Sequence, residues 1–263
     1  MKAKKHYILL SFDVEEFDIP CEYGIDVPEE KKFSVSFNGL EKILSLLGKH
    51  NIKATFFTTA SFALKYPDTI KKLAEKHEIA SHGYCHTGFS DDDLRKSKET
   101  LEKICGSVVK GFRSPRLIKV DNEKLFECGY TYNSSENPTW IPGRYNNFTL
   151  PRTIYNTPEG ILSVPASVSP LIRFPLFWIA FKNIPLPLYK FLSLWTLGND
   201  GYLNIYFHPW EFSDLSGYAL PGFIKKKHGE ALLMRLDSLI QTLKKKAEFI
   251  PIAEFVQLRS QER

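Results

Sequence analysis

Short β-branched or aromatic runs alternate with stretches of helical periodicity along most of this chain, and that alternation favours βα units on a parallel sheet over a sandwich. Runs at 6–12, 52–59, 78–81, 108–113, 130–133, 161–165, 202–207 and 249–252 read as strands. Between the first two, Leu40, Ile43, Leu44 and Leu47 recur at helical spacing, with Gly48 and Asn51 near the helix end. A helix over 68–77 starts after Pro67, and one over 91–104 opens on three acids that suit its N-terminal dipole. The stretch 122–128 is helical, and 229–246 carries Leu232, Leu236, Leu239 and Leu243 on one stripe. About eight strands with helices between them and no linker predict one domain over 1–263, a closed or nearly closed α/β barrel. Functional side chains in such barrels stand at the C-terminal strand ends, where the βα loops begin.

Composition removes several alternatives. The chain is 43% apolar, and its 15 Gly and 16 Pro follow no period, which excludes a disordered, collagenous or low-complexity protein. A net charge of +5 is a mild bias toward an anionic surface or substrate. The lysine runs 225–227 and 244–246 lack an accompanying aromatic-basic motif and read as solvated helix faces, so no nucleic-acid partner is expected. Cys21, Cys85, Cys105 and Cys128 form no C-x-x-C pair and read as reduced, mostly packed thiols of a cytoplasmic protein. The N-terminus begins basic, but its short apolar run passes straight into acids and reads as a first strand rather than a leader. The apolar segment 170–197 is interrupted by Arg173, Lys182, Lys190 and several prolines, so it does not span a bilayer. It is expected as an insert of buried barrel helices; an apolar wall over the site, or peripheral membrane contact to meet a lipid-linked sugar, is the alternative.

The polar clusters fall just after the predicted strands. Asp13, Glu15, Glu16 and Asp18 follow the first, His82 and His86 the third, Arg113 and Arg116 the fourth, and His208 with Glu211 the seventh. Two histidines four apart reach one metal if the backbone turns helically after the strand. In extended backbone Asp13 and Glu15 point to one side and Glu16 to the other. One of the pair would bind the metal with the histidines, and the other would take a proton from water. Two histidines and a carboxylate also describe non-haem iron oxygenases, but on an α/β barrel with a spare carboxylate hydrolysis is the better fit. His208, at the end of a hydrophobic strand, suits the acid that a leaving group needs.

Together these segments resemble the polysaccharide deacetylase family, the NodB-homology carbohydrate esterases, and in particular the branch whose first motif reads D-V-E. SFDVEEF resembles the first motif, SHGYCH the second, FRSPR the third and IYFHPWEF the fifth, a span from Ser11 to about Phe212. The resemblance implies a single distorted (β/α)7-type barrel and a metal-dependent hydrolase that removes an N-acetyl or other N-acyl group from an amino sugar in glycan biosynthesis. It implies one divalent ion, zinc first and cobalt, iron, nickel or manganese after it, held by Glu15, His82 and His86. Asp13 matches the catalytic base, Arg113 the arginine that orients it, Arg116 a position whose backbone N–H helps hold the oxyanion, and His208 the general acid. Trp210 and Glu211, in the same motif as His208, are expected at the substrate. Val14 stands where a second aspartate is usual, so Glu16 and Asp18 stay open as ligands. The fourth motif is not recognisable in 130–140, which leaves the partner of His208 open. A degenerate barrel that binds glycan without catalysis, or a deformylase or deacetylase acting on a lipid-linked sugar, is the alternative.

Overall fold

The sequence YILLSFDV is apolar on both faces, which suits a strand covered on both sides, and it forms β1, Tyr7–Val14, with a paired strand on either side. The computed structural model describes residues 5–261. Six further strands continue a parallel ladder with β1: β2 Thr55–Thr58, β3 Glu78–Ser81, β4 Gly111–Phe112, β5 Tyr132–Asn133, β6 Leu162–Ser163 and β7 Tyr202–Phe207, and the two-residue strand Glu248–Phe249 joins β1 in parallel at its start. Their spatial order is β7-β1-β2-β3-β4-β5-β6. Ser11 is paired with Tyr206 on one side and Thr55 on the other.

Seven parallel strands fit the expected (β/α)7 architecture, and the distortion lies at one seam. Beyond β6 the chain no longer forms a ladder with β7. Asn204 bridges the gap instead: its Nδ2 donates to the carbonyls of Val164 (3.1 Å) and Pro165 (3.0 Å), while its backbone exchanges bonds with Ser167. The eighth expected strand is reduced to Glu248–Phe249, which pairs with the start of β1 before a terminal helix, Ile252–Gln261, that periodicity did not reveal. β4 is likewise shorter than the run 108–113. Gly111 is required there, because a Cβ would lie 2.0 Å from Cζ of Tyr132 on the next strand.

The long helix α1, Glu29–His50, begins eleven residues before its leucine stripe. It packs so closely on the 3-10 turn Pro209–Phe212 that a Cβ on Gly39 would sit 1.8 Å from the Pro209 carbonyl oxygen. Two helices fill the apolar segment, Trp178–Asn183 and Leu186–Asp200, and most of their aromatic side chains enter the core. Leu171 and Ile172, in the preceding loop, stay exposed. Among the described residues no helix is long and apolar enough to cross a membrane. The four cysteines are unpaired; Cys105 alone is buried, Cys85 and Cys128 are half-buried and Cys21 is exposed, so the thiols are less packed than expected.

Candidate active site

A cavity of about 740 Å³ opens at the C-terminal ends of the strands, lined on one side by Asp13, Glu15, His82, His86, His208 and Trp210. Asp13 is the penultimate residue of β1, and Glu15 follows the strand by one. Alternation turns Glu16 away, where it accepts hydrogen bonds from Thr59 and Ser61. His82 directly follows β3, but His86 reaches the same point without a helix. Gly83 (φ 78°), in a left-handed conformation between them, redirects the loop, and the two rings lie 5.7 Å apart.

Glu15 Oε2 lies 3.0 Å from His82 Nε2 and 3.1 Å from His86 Nε2. The opposite ring nitrogens are fixed. His82 Nδ1 is 2.8 Å from the Arg113 carbonyl, and His86 Nδ1 is 2.8 Å from Asp18 Oδ1. Both partners only accept, so each Nδ1 carries a proton, and in the neutral rings each Nε2 turns a lone pair toward the carboxylate. Such an arrangement calls for a positive charge at its centre. Burial opposes charging of His86, yet Glu15 and Asp18 outweigh it and lift its pKa to about 9. Burial likewise works against the Glu15 anion, but His86, His208 and His82 hold its carboxyl well below the usual range. A divalent cation meets the same demand. The three donor atoms lie within 4.8 Å of one another, and the spacings to Glu15 approach the edge of about 3.3 Å of a tetrahedral zinc site. The donor set therefore fits the ion that the sequence implies.

Asp13 faces the same cavity from β1. Its Oδ1 accepts from Arg113 at 2.5 Å, and Arg113 is itself fully buried. The guanidinium also donates to Ser11 Oγ, Ser134 O and Ser134 Oγ, and lies 4.0 Å from the centre of the Phe57 ring. Asp13 is thus tied to a guanidinium through one oxygen, and among the described residues the other makes no hydrogen bond. That oxygen is 3.9 Å from His208 Nε2, too far for a direct bond, so each group keeps its own proton-transfer site open.

His208 follows β7. Its Nδ1 bonds Glu211 Oε1 at 3.0 Å, and the same oxygen accepts the His208 backbone N–H at 2.8 Å. Glu211 was expected at the substrate, but it is fully enclosed behind His208, where Oε2 pairs with Lys182 Nζ at 3.0 Å. The turn Pro209–Phe212 causes this reversal, because position 211 folds back onto the residue that starts it. Trp210 lines the cavity, and its indole N–H donates to Glu15 Oε1 at 3.1 Å. Arg116 sits in a left-handed turn with Leu117 (φ 53° and 54°), and its guanidinium holds Asp18 at 3.0 Å and Glu22 at 2.7 Å. Asp18 thereby supports His86 from behind. Lys182, which the sequence presents as an interruption of an apolar run, is buried in this site; a lone charge directly after Trp178, Ile179, Ala180 and Phe181 is the signal that could have found it.

The sequence profile of the polysaccharide deacetylase family matches residues 2–132. A peptidoglycan-N-acetylglucosamine deacetylase of Bacillus cereus is 38% identical over 82 residues, 28% of this chain and 30% of that protein, so the match spans less than a third of either. Among solved structures, a putative polysaccharide deacetylase from Mycobacterium smegmatis superposes with a TM-score of 0.66 at 19% identity, over 100% of this chain and 93% of that one. Puue allantoinase superposes with a TM-score of 0.66 at 16% identity, over 98% and 91%, which extends the likeness in fold beyond the deacetylases. The profile match, the seven-stranded barrel and its strand-end residues lead to one conclusion: the chain belongs to the polysaccharide deacetylase family.

Proposed function

We propose that this chain is a cation-dependent hydrolase that removes an N-acetyl or related N-acyl group from an amino sugar. The observation that carries the reading is the convergence, in one cavity, of the Glu15, His82 and His86 donors with a buried, Arg113-held Asp13 and with His208 facing it across 3.9 Å. A divalent cation at Glu15, His82 and His86, zinc being the first candidate, supplies Lewis-acid polarisation of the acyl carbonyl. Asp13 takes the proton of the attacking water, and Arg113 keeps it aimed and ionised. The Arg116 backbone N–H is assigned to the developing oxyanion. His208 delivers a proton from Nε2 to the departing nitrogen, because Glu211 retains the proton on Nδ1. The C–N bond breaks, water is consumed, and acetate and a free amine are left. The four unpaired cysteines fit a reducing compartment such as the cytoplasm.

Acyl release from the cation-loaded protein tests this, using N-acetyl and N-formyl amino sugars as free, nucleotide-linked and lipid-linked forms, with allantoin as a control amide. Release from at least one sugar, reduced about 100-fold or more in Asp13→Asn, is expected. Allantoin turnover with no sugar turnover would overturn the substrate class. A protein that binds the cation and glycan without turnover would be a binding barrel.

A further inference from the structure

Lys182 lies in the sequence FWIAFKN, has no exposed surface, and is one of the few charged groups enclosed in this core. Its ammonium has two polar partners, Glu211 Oε2 at 3.0 Å and the Ile224 carbonyl at 2.9 Å. Burying such a pair is a poor route to stability, because apolar residues of similar volume commonly do as well or better. The pair sits, however, directly behind His208. Glu211 spends its other oxygen on both the backbone N–H and Nδ1 of His208.

The same helix supplies a second contact. Trp178 and Lys182 are one turn apart on Trp178–Asn183, hence on one face. The Trp178 ring meets His208 edge-on at 5.1 Å, Trp210 stacks on it at 5.1 Å with 20° between planes, and the two indoles meet each other at 5.5 Å. Lys182 Nζ is 5.4 Å from the centres of both indoles. One helix of the apolar insert therefore touches both the imidazole and the carboxylate that orients it.

Resting on the reading of His208 as the acid, we propose that Lys182 is a positioning residue: it fixes Glu211, and through it holds the Nδ1 proton and the orientation of His208, so that its imidazolium presents the Nε2 proton to the leaving nitrogen and is left as the neutral Nδ1–H tautomer. The chemical step is the one above, in which the C–N electron pair stays on nitrogen, nitrogen takes the Nε2 proton, and Asp13 holds the proton of water. Lys182 moves no proton. Its effect is confined to substrates whose leaving group needs protonation. An amide nitrogen requires it, whereas an aryl oxide departs as a stable anion.

The test compares wild type, Lys182→Met, Glu211→Gln and the double variant Lys182→Met/Glu211→Gln, all zinc-loaded with metal content measured, on an N-acetyl amino sugar and on 4-nitrophenyl acetate. Lys182→Met should lose about 10–100-fold in kcat on the amide with KM nearly unchanged, and less than about 3-fold on the ester. The double variant, which leaves no unpaired buried charge, guards against a folding failure and should be no worse than Glu211→Gln alone. Equal losses on amide and ester, or no loss on the amide, would overturn the proposal. Nitrogen-15 spectra of the histidine rings, taken at a pH where they are neutral, give a readout that does not depend on turnover: neutral His208 should hold its proton on Nδ1 in wild type and redistribute it in Lys182→Met. An unchanged tautomer would also overturn the proposal. Absence of amide turnover in wild type would count against the deacetylase reading alone, and the spectra would then decide the role of Lys182.

Discussion

Replacing Arg113 by Met removes the one cation bonded to Asp13 while keeping most of the side-chain volume. Arg113 is wholly buried and Asp13 is 2% exposed, so among the described residues the carboxylate would keep no cation in hydrogen-bond reach, with only the cavity beside it for solvation. Ser11 Oγ, Ser134 O and Ser134 Oγ lose donors at the same time. Breaking a buried pair on one side costs about 3–5 kcal/mol, which for a chain of this size lowers Tm by roughly 5–9 °C. Asp13→Asn alone strands the guanidinium instead, whereas the double variant strands neither. A double-mutant cycle should therefore show a coupling of about 2 kcal/mol or more. Urea unfolding followed by circular dichroism measures it, in excess chelator so that cation binding does not add stability to the folded state. An Arg113→Met protein within about 1 kcal/mol of wild type, or a cycle additive to about 0.5 kcal/mol, would refute the view that Arg113 holds Asp13 as a buried anion.

Other outcomes follow from the same geometry. His82→Ala and His86→Ala should each weaken zinc affinity by more than about 100-fold, and Asp18→Asn, which removes the support behind His86, by about 10–100-fold, read by calorimetric titration. Gly39→Ala drives a methyl into the Pro209 carbonyl and should cost about 1–3 kcal/mol or more and lower turnover through His208, while Gly198→Ala, with open space at its Cβ, should be neutral or stabilising; urea midpoints separate them. Burial, with Lys76 and Lys53, lowers the His77 pKa from 6.5 to about 4, so the native state binds fewer protons than the unfolded one between those values. Stability should fall as pH drops from 6.5 toward 4, by about 1–2 kcal/mol once the partial exposure of the ring is allowed for. His77→Gln should remove that part of the pH dependence; an unchanged difference between the two proteins from pH 7 to 4.5 would refute it.

Much of the site was legible because chemistry clusters at strand ends: period-two alternation placed Asp13 and Glu15 on one side of β1 and Glu16 on the other. What stayed hidden depends on chain reversals that no periodicity encodes. His82 and His86 meet through a loop with a left-handed glycine, not through helical spacing. Glu211 turns inward because a 3-10 turn doubles back on His208, and its partner comes from a helix of the apolar segment, which composition could describe only as apolar. The barrel seam was equally invisible, since Asn204 closes it through side-chain amide bonds where a strand pattern offers no signal. Strand lengths were overestimated at β4, where apolar residues continue beyond the two that pair.

The proposed reaction splits an amide by water in this cavity, with Asp13 as base and His208 as acid. Proton NMR of the zinc-loaded protein with an N-acetyl amino sugar substrate measures acetate and free amine together in one tube. One acetate should appear per amine formed, with both signals abolished in Asp13→Asn and His208→Ala. Undiminished, stoichiometric release from either variant would contradict the assignment of base and acid on which the rest depends.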